Sequence, residues 1–522
     1  MLFFIDNKET NMSEKYIKNI SEKGNAIIVG RGANSILKEY NPINIFVYAN
    51  MESKINRCKQ KADSEENLTD KEIGLEKKKV EINLSEHFTY KKLIKFVLPS
   101  IVMMIFTSIY GVVDGLFVSN FAGKTAFAAI NLIMPILMGL SALGFMIGTG
   151  GSAIVATTLG VGKKEKANEY FSMLVYVTII GGIAVSLVRM VLIRPIAVMH
   201  GPAGELLSDC VLYGRITFIS FPAFMLQNVF QSFFVAAQKP KLGLKVIIVA
   251  GVTNMVLDYL FVGCLGFGIA GAAVATVCGE FIGGLFPIFY FARKNSSLLK
   301  LGRPSFDSRI LLKTCSNGAS EFMTNLSSSV VNSLYNLQLM KVAGENGVAA
   351  YGSIMYANFI FIAIFIGYSI GSAPIVSYHY GAGNHSELKN MFKKSLRLIG
   401  IWGIGLFVFS QVITTPLAKL FVGYDAELFE MTRHGFRIYF ISFLINGFNI
   451  YGSAFFTALN NGMISAAISF LRTLLFQMAA VLILPVFFGV NGIWSAVTVA
   501  ELCTLFMTAA FFIRQRKIYH YM

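Results

Sequence analysis

The chain has 522 residues, 55% hydrophobic and 14% charged, with a net charge of +16. A soluble chain carries roughly 25% charged residues, and here even that small share is concentrated: residues 1–93 hold 14 acids and 16 bases, leaving 15 and 29 for the other 429 positions. Water is therefore not the main solvent of this chain, and the positive excess, which sits in short loops between apolar runs, serves membrane orientation rather than nucleic acid.

Residues 1–88 are rich in Lys, Glu and Asn and read as a polar cytosolic tail without a fold of its own. The apolar stretch Met1–Ile5 is too short for a signal peptide. From Leu93 onward the pattern changes to apolar runs of about 20 residues or more, the length that crosses the hydrocarbon core as a helix. The predicted crossings in the first half are 94–120, 128–158, 169–194, 206–236, 243–264 and 268–292. The second half gives 312–340, 349–378, 391–416, 429–458, 464–487 and 490–513. Their continuous apolarity excludes a membrane β-barrel, which would show alternating ten-residue segments. The expected fold class is all-α integral membrane, with twelve helices in two pseudo-symmetric bundles.

Basic residues fix the expected orientation. One set of loops and the two flanks hold 22 bases, among them Lys163, Lys164, Lys166, Arg293, Lys294, Lys389 and Arg397; the opposite side has about five. Both termini are thus predicted to be cytoplasmic. The six cysteines (Cys58, Cys210, Cys264, Cys278, Cys315 and Cys503) show neither metal-site nor disulfide spacing. Gly160-Val-Gly162-Lys163-Lys164 lacks the upstream glycine and the following Ser/Thr of a phosphate loop, so no nucleotide site is expected there.

The two halves repeat. Arg-Ile-Thr-Phe-Ile-Ser-Phe at 215–221 matches Arg-Ile-Tyr-Phe-Ile-Ser-Phe at 437–443, an offset of 222. Gly160/Gly381, Gly162/Gly383, Gly268/Gly489 and Glu280/Glu501 recur at 221. Parallel repeats with a site between or inside them suit a transporter that alternates access. Residues 89–300 then form one lobe and 301–522 the other.

Pro99, the run from Asp114-Gly-Leu-Phe-Val to Ala122-Gly123, the Gly160-x-Gly162 loop, Gln238-Lys-Pro-Lys241, Asn254-x-x-x-Asp258 and Gly268-x-x-Gly-Ala-Ala together resemble the multidrug and toxic compound extrusion (MATE) family, in its DinF/MepA-like bacterial branch. The resemblance covers roughly residues 90–515. It implies an outward-opening V of two six-helix lobes that exports cationic or amphipathic organic compounds against entry of Na⁺ or H⁺. It also implies no cofactor beyond that ion, a monomer in the plasma membrane, and no enzymatic activity.

Five acids lie well inside predicted crossings: Asp114, Asp258, Glu280, Glu321 and Glu501. A carboxylate at mid-membrane costs at least ~2.5–3.5 kcal/mol on insertion scales, so each is a functional candidate by default. Asp258 follows Asn254 by four residues, Glu280 follows Thr276 and Asp114 follows Tyr110 by the same step, so each pair shares a helix face. Such oxygen clusters can hold Na⁺ or trap a proton. The resemblance carries a cation-coupling role onto Asp114, Asn254, Asp258 and Thr276, with Asn228 and Gln231 as completing ligands. A shift of 221 turns these four into Tyr335, Leu475, Ala479 and Val497, so the cluster belongs to one half only. Glu280 recurs as Glu501, which favours a structural role for both. Glu321 matches a glutamate that NorM-like relatives use for cations, but residues 429–458 lack the acid those relatives pair with it. Arg472 is a second buried-charge candidate. A flippase for lipid-linked oligosaccharides is the alternative, and it would call for cationic residues in the cavity of the first half, where the sequence has acids.

Overall fold

The computed structural model describes residues Leu2–Phe4, Ile27–Val29, 82–199 and 204–522. The chain divides into two compact units, Met1–Glu81 and Ile82–Met522. In the first, β1 (Leu2–Phe4) pairs in parallel with β2 (Ile27–Val29), Leu2 opposite Ile27. Both strands fall on short apolar patches of the otherwise polar tail. The remainder of 1–81, Cys58 included, lies outside the described residues.

Every regular element of the second unit is a helix or helical turn. Ten helices are long and apolar enough to cross a membrane, and a pair bent by 57°, Gly204–Ile219 with Phe221–Ala236, makes one more crossing. The 74-residue helix Ser308–Gly381 breaks at Gly344, where φ is 63°, into two crossings. Twelve crossings result among the described residues, as the apolar runs predicted. Span 1 is Tyr90–Phe117, span 2 Lys124–Gly160 and span 3 Lys164–Met199. Span 4 is the bent pair. Span 5, Pro240–Asp258, runs into a π-helical turn at Tyr259–Cys264, and span 6 is Gly268–Ala292. Spans 7 and 8 are the two parts of Ser308–Gly381, and span 9 is His385–Val422. Span 10 joins Ala426–Tyr439 to Phe443–Ala458. Span 11 joins Gly462–Phe470 to Gln477–Phe488 through a π-helical turn at Leu471–Phe476, and span 12 is Val490–Tyr519.

Asp307, Asn384, Asp425 and Asn461 accept from backbone N–H groups at the starts of spans 7, 9, 10 and 11. A membrane leaves few other partners for those free donors. The repeat is visible in the backbone itself. Left-handed residues recur in pairs: Gly123 and Gly344, Gly162 and Gly383, Gln238 and Asn460, Gly268 and Gly489. Within the first half, Phe171 of span 3 packs its ring at 4.9 Å from Phe233 of span 4 and 5.1 Å from Phe291 of span 6.

The halves meet reciprocally at the end that carries the basic loops. A Cβ on Gly160 would fall 2.1 Å from the Tyr378 carbonyl oxygen, and one on Gly381 would fall 2.1 Å from that of Thr157. Thr157 and Tyr378 are themselves 221 apart, so the contact is its own mirror across the repeat. Asn460 adds a bond from its amide to the Thr157 hydroxyl at 2.8 Å.

Residues 82–89 pack as part of the bundle. Leu84 and Phe88 are buried. The Phe88 N–H donates to Glu387 of span 9 at 2.9 Å, and His87 Nδ1 lies 2.7 Å from the other oxygen of that carboxylate. Asn390 and Lys394 donate to the Phe88 carbonyl at 3.1 and 2.5 Å.

Candidate functional site

Among the described residues, two cavities inside the bundle are lined by predicted site residues. The smaller, about 210 Å³, is walled by spans 1, 2, 4, 5 and 6. Six of the eight predicted site residues line it: Asp114, Asn228, Gln231, Asn254, Thr276 and Glu280. Asp258 stands behind the wall with no solvent exposure, one turn beyond Asn254 and next to the π-helical turn. It interacts with both Asp114 and Asn254. The four-residue step put Asn254 and Asp258 on one face; the packing of span 1 against span 5 then brought Asp114 to them. That approach depends on Gly251, where a Cβ would fall 2.6 Å from the Phe106 ring of span 1.

The lining is rich in oxygen acceptors. Asp114 Oδ1, Asn254 Oδ1, both oxygens of Asp258, Gln227 Oε1 and Gln231 Oε1 are buried with no hydrogen-bond partner of good geometry. The Thr276 hydroxyl spends its proton on the Ala272 carbonyl at 3.0 Å, which leaves its oxygen free to accept. Glu280 accepts from the Ser220 hydroxyl at 2.6 Å, at the bend of span 4. Among the described residues no basic side chain forms an ion pair with Asp114, Asp258 or Glu280. Buried acceptors without donors are the inverse of a satisfied interior. They suit a hard cation or a proton, either of which supplies the missing positive charge. Among the described residues no three His, Cys, Asp or Glu side chains close into a metal site. A cation here would thus draw on amide and hydroxyl oxygens beside the carboxylates.

Glu321 is not part of this cluster. It lines the larger cavity, about 370 Å³, which is built chiefly from spans 7, 8, 10, 11 and 12. Met104 and Phe145 line both cavities, so the two adjoin. In the larger one Arg472 Nε donates to Glu501 Oε1 at 2.7 Å, and Asn449 donates to Glu501 Oε2 at 2.7 Å. Arg472 therefore pairs with an acid inside the bundle rather than reaching for an edge. Glu280 and Glu501, alike in the repeat, differ in company: Glu501 has a guanidinium partner, and Glu280 has a hydroxyl.

Two features escaped the sequence reading. Gln227 lines the smaller cavity together with Gln231, and their spacing of four on span 4 was the signal. On span 7, Asn325 and Asn332 line the larger cavity with Glu321. Their steps of four and seven trace one polar stripe along a run classed as apolar.

The profile of the MatE family matches residues 99–260 and 322–483, once in each half. That of a cytidylate kinase-like family matches residues 3–90. The multidrug export protein MepA of Staphylococcus saprophyticus is 25% identical over 430 residues, 80% of this chain and 92% of that protein. A crystal structure of MATE in complex with MaL6 superposes with a TM-score of 0.80 at 21% identity, covering 84% of this chain and 98% of the other. An outward-facing multidrug resistance MATE transporter of the MOP superfamily gives 0.78 at 21% identity, over 82% of this chain and 96% of that one.

Proposed function

The chain belongs to the MatE family, and from that premise we propose that it is a secondary exporter of cationic and amphipathic organic compounds, driven by Na⁺ or H⁺ entry. The carrying observation is the one-sided set of unpartnered buried oxygens around Asp114, Asn254 and Asp258. The ion enters the smaller cavity, supplies the charge that Asp114 and Asp258 lack, and draws spans 1 and 5 together. The cargo occupies the larger cavity, where Met355, Phe359 and Ile362 give an adaptable apolar wall and Glu321 a negative charge. Ion and cargo each favour a different packing of the lobes, and linkage makes their mutual weakening equal.

The lobes of this reading are 89–300 and 301–522, with 82–88 packed against the bundle and 1–81 as the cytosolic tail. The protein works as a monomer in the plasma membrane with both termini in the cytoplasm. Acids rather than bases around the smaller cavity disfavour a lipid-linked oligosaccharide flippase, whose pyrophosphate cargo needs cations. The test is efflux of a fluorescent organic cation from proteoliposomes under an imposed Na⁺ or H⁺ gradient. Efflux should follow one of the two gradients and vanish in D114N and D258N. Efflux unchanged in both variants, with unchanged ion dependence, would sink the proposal.

A further inference from the structure

The repeat allows each buried charge in one half to be compared with its counterpart in the other. Glu501 of span 12 corresponds to Glu280 of span 6. Asn449, which holds Glu501 by two donated bonds, to its side chain at 2.7 Å and its backbone carbonyl at 2.8 Å, corresponds to Gln227 or Asn228 at offsets of 222 and 221. Both of those residues line the smaller cavity beside Glu280. The scaffold of carboxylate plus amide is therefore present in both halves.

Arg472 breaks the symmetry. Its counterparts at the same two offsets are Gly251 and Ala250, which also line the smaller cavity and carry no charge. In the second half the guanidinium bonds Glu501 at 2.7 Å and acts electrostatically on Glu321. It rises from the π-helical turn Leu471–Phe476, a local widening that re-aims side chains and recurs at functional positions. The side chains of Arg472 and Glu501 are 12% and 5% exposed, so the charge is held in place and not lost to bulk water.

We propose that Arg472 is a tethered internal cation that occupies the second half's counterpart of the cavity wall at Gly251 and Glu280 and closes it to the coupling ion. Ion coupling is thereby confined to Asp114 and Asp258. The inference rests on the ion-coupled reading above and deepens it. Taking one partner out of a buried pair leaves the other charge uncompensated, at a cost large enough to be met by capturing a replacement. Without the guanidinium, Glu501 and Glu321 would face one cavity with Asn446, Asn449 and hydroxyl oxygens near them, an acidic set built from other positions than Asp114 and Asp258. A sodium ion or a proton would take the vacated place.

The experiment uses the full chain purified in detergent, with Na⁺ binding followed by titration calorimetry and proton uptake by a pH-indicator dye. Wild type should bind one class of ion, and D114N/D258N, with Arg472 in place, none. Adding R472Q to D114N/D258N should restore binding of one ion per chain, and adding E501Q to that variant should remove it again. R472K keeps the charge and should restore nothing. If R472Q does not fold, D114N/D258N decides alone: ion binding that persists there and disappears with E501Q would overturn the proposal. A folded R472Q/D114N/D258N protein that binds no ion would overturn it equally. Wild-type binding that is indifferent to D114N and D258N would instead overturn the coupling-site reading on which this one rests.

Discussion

Asp258→Asn separates a working carboxylate from a structural one, because the two roles predict opposite signs for stability. Asp258 is completely enclosed, and neither of its oxygens has a hydrogen-bond partner of good geometry. A carboxylate at mid-membrane costs about 2.5–3.5 kcal/mol on insertion scales. An asparagine keeps the shape, removes that cost and places an amide donor near Asp114, whose Oδ1 is also unpartnered. Ion-free D258N should therefore be more stable than ion-free wild type, by ~1–3 kcal/mol once part of the cost is discounted for local relaxation. The coupling ion should reverse the order. Binding at 100 times its Kd stabilises wild type by about 2.7 kcal/mol, while D258N has lost the charge that holds the ion. Thermal unfolding in detergent, with and without Na⁺ and across pH, reads both effects as Tm shifts. Ion-free D258N with a lower Tm than wild type, together with an undiminished rise in Tm on adding ion, would refute the reasoning and make Asp258 a structural group.

Three more outcomes follow from the packing. Phe88→Ala should cost about 3–5 kcal/mol, as for other fully buried phenylalanines; deletion of 1–81 should leave expression and efflux near wild type, and deletion of 1–88 should impair both, read by size-exclusion yield and drug resistance. Gly160→Ala puts a Cβ 2.1 Å from the Tyr378 carbonyl, so it should part the lobes at the basic-loop end; spin labels on 163 and 384 should report a longer distance, with transport lost and cargo binding kept. Single cysteines at 300 and 389, placed in a chain stripped of native cysteines, should resist membrane-impermeant maleimide in intact cells and react after lysis; ready labelling from outside would reverse the assigned topology.

Much of this protein was legible because a membrane imposes strong local constraints. A helix must satisfy its own backbone and cover about 30 Å, so apolar run length alone located the twelve crossings. The offset of 221–222 in the residues announced the pseudo-symmetry that the left-handed backbone pairs then displayed. Helical periodicity likewise put Asn254 with Asp258 and Thr276 with Glu280 before any packing was known. Periodicity assigns a residue to a face of its own helix, but it is silent on which helix that face meets. That is decided by side-chain volumes and close backbone approaches between segments hundreds of residues apart. Tertiary structure alone therefore drew Asp114 and Glu280 into one cavity and set Glu321 in another. It joined Arg472 to Glu501 and sealed the halves through Gly160 and Gly381. It also pulled Leu84 and Phe88, read as part of a polar tail, beneath span 9, because a buried Glu387 and an apolar recess offered them partners that no local pattern records.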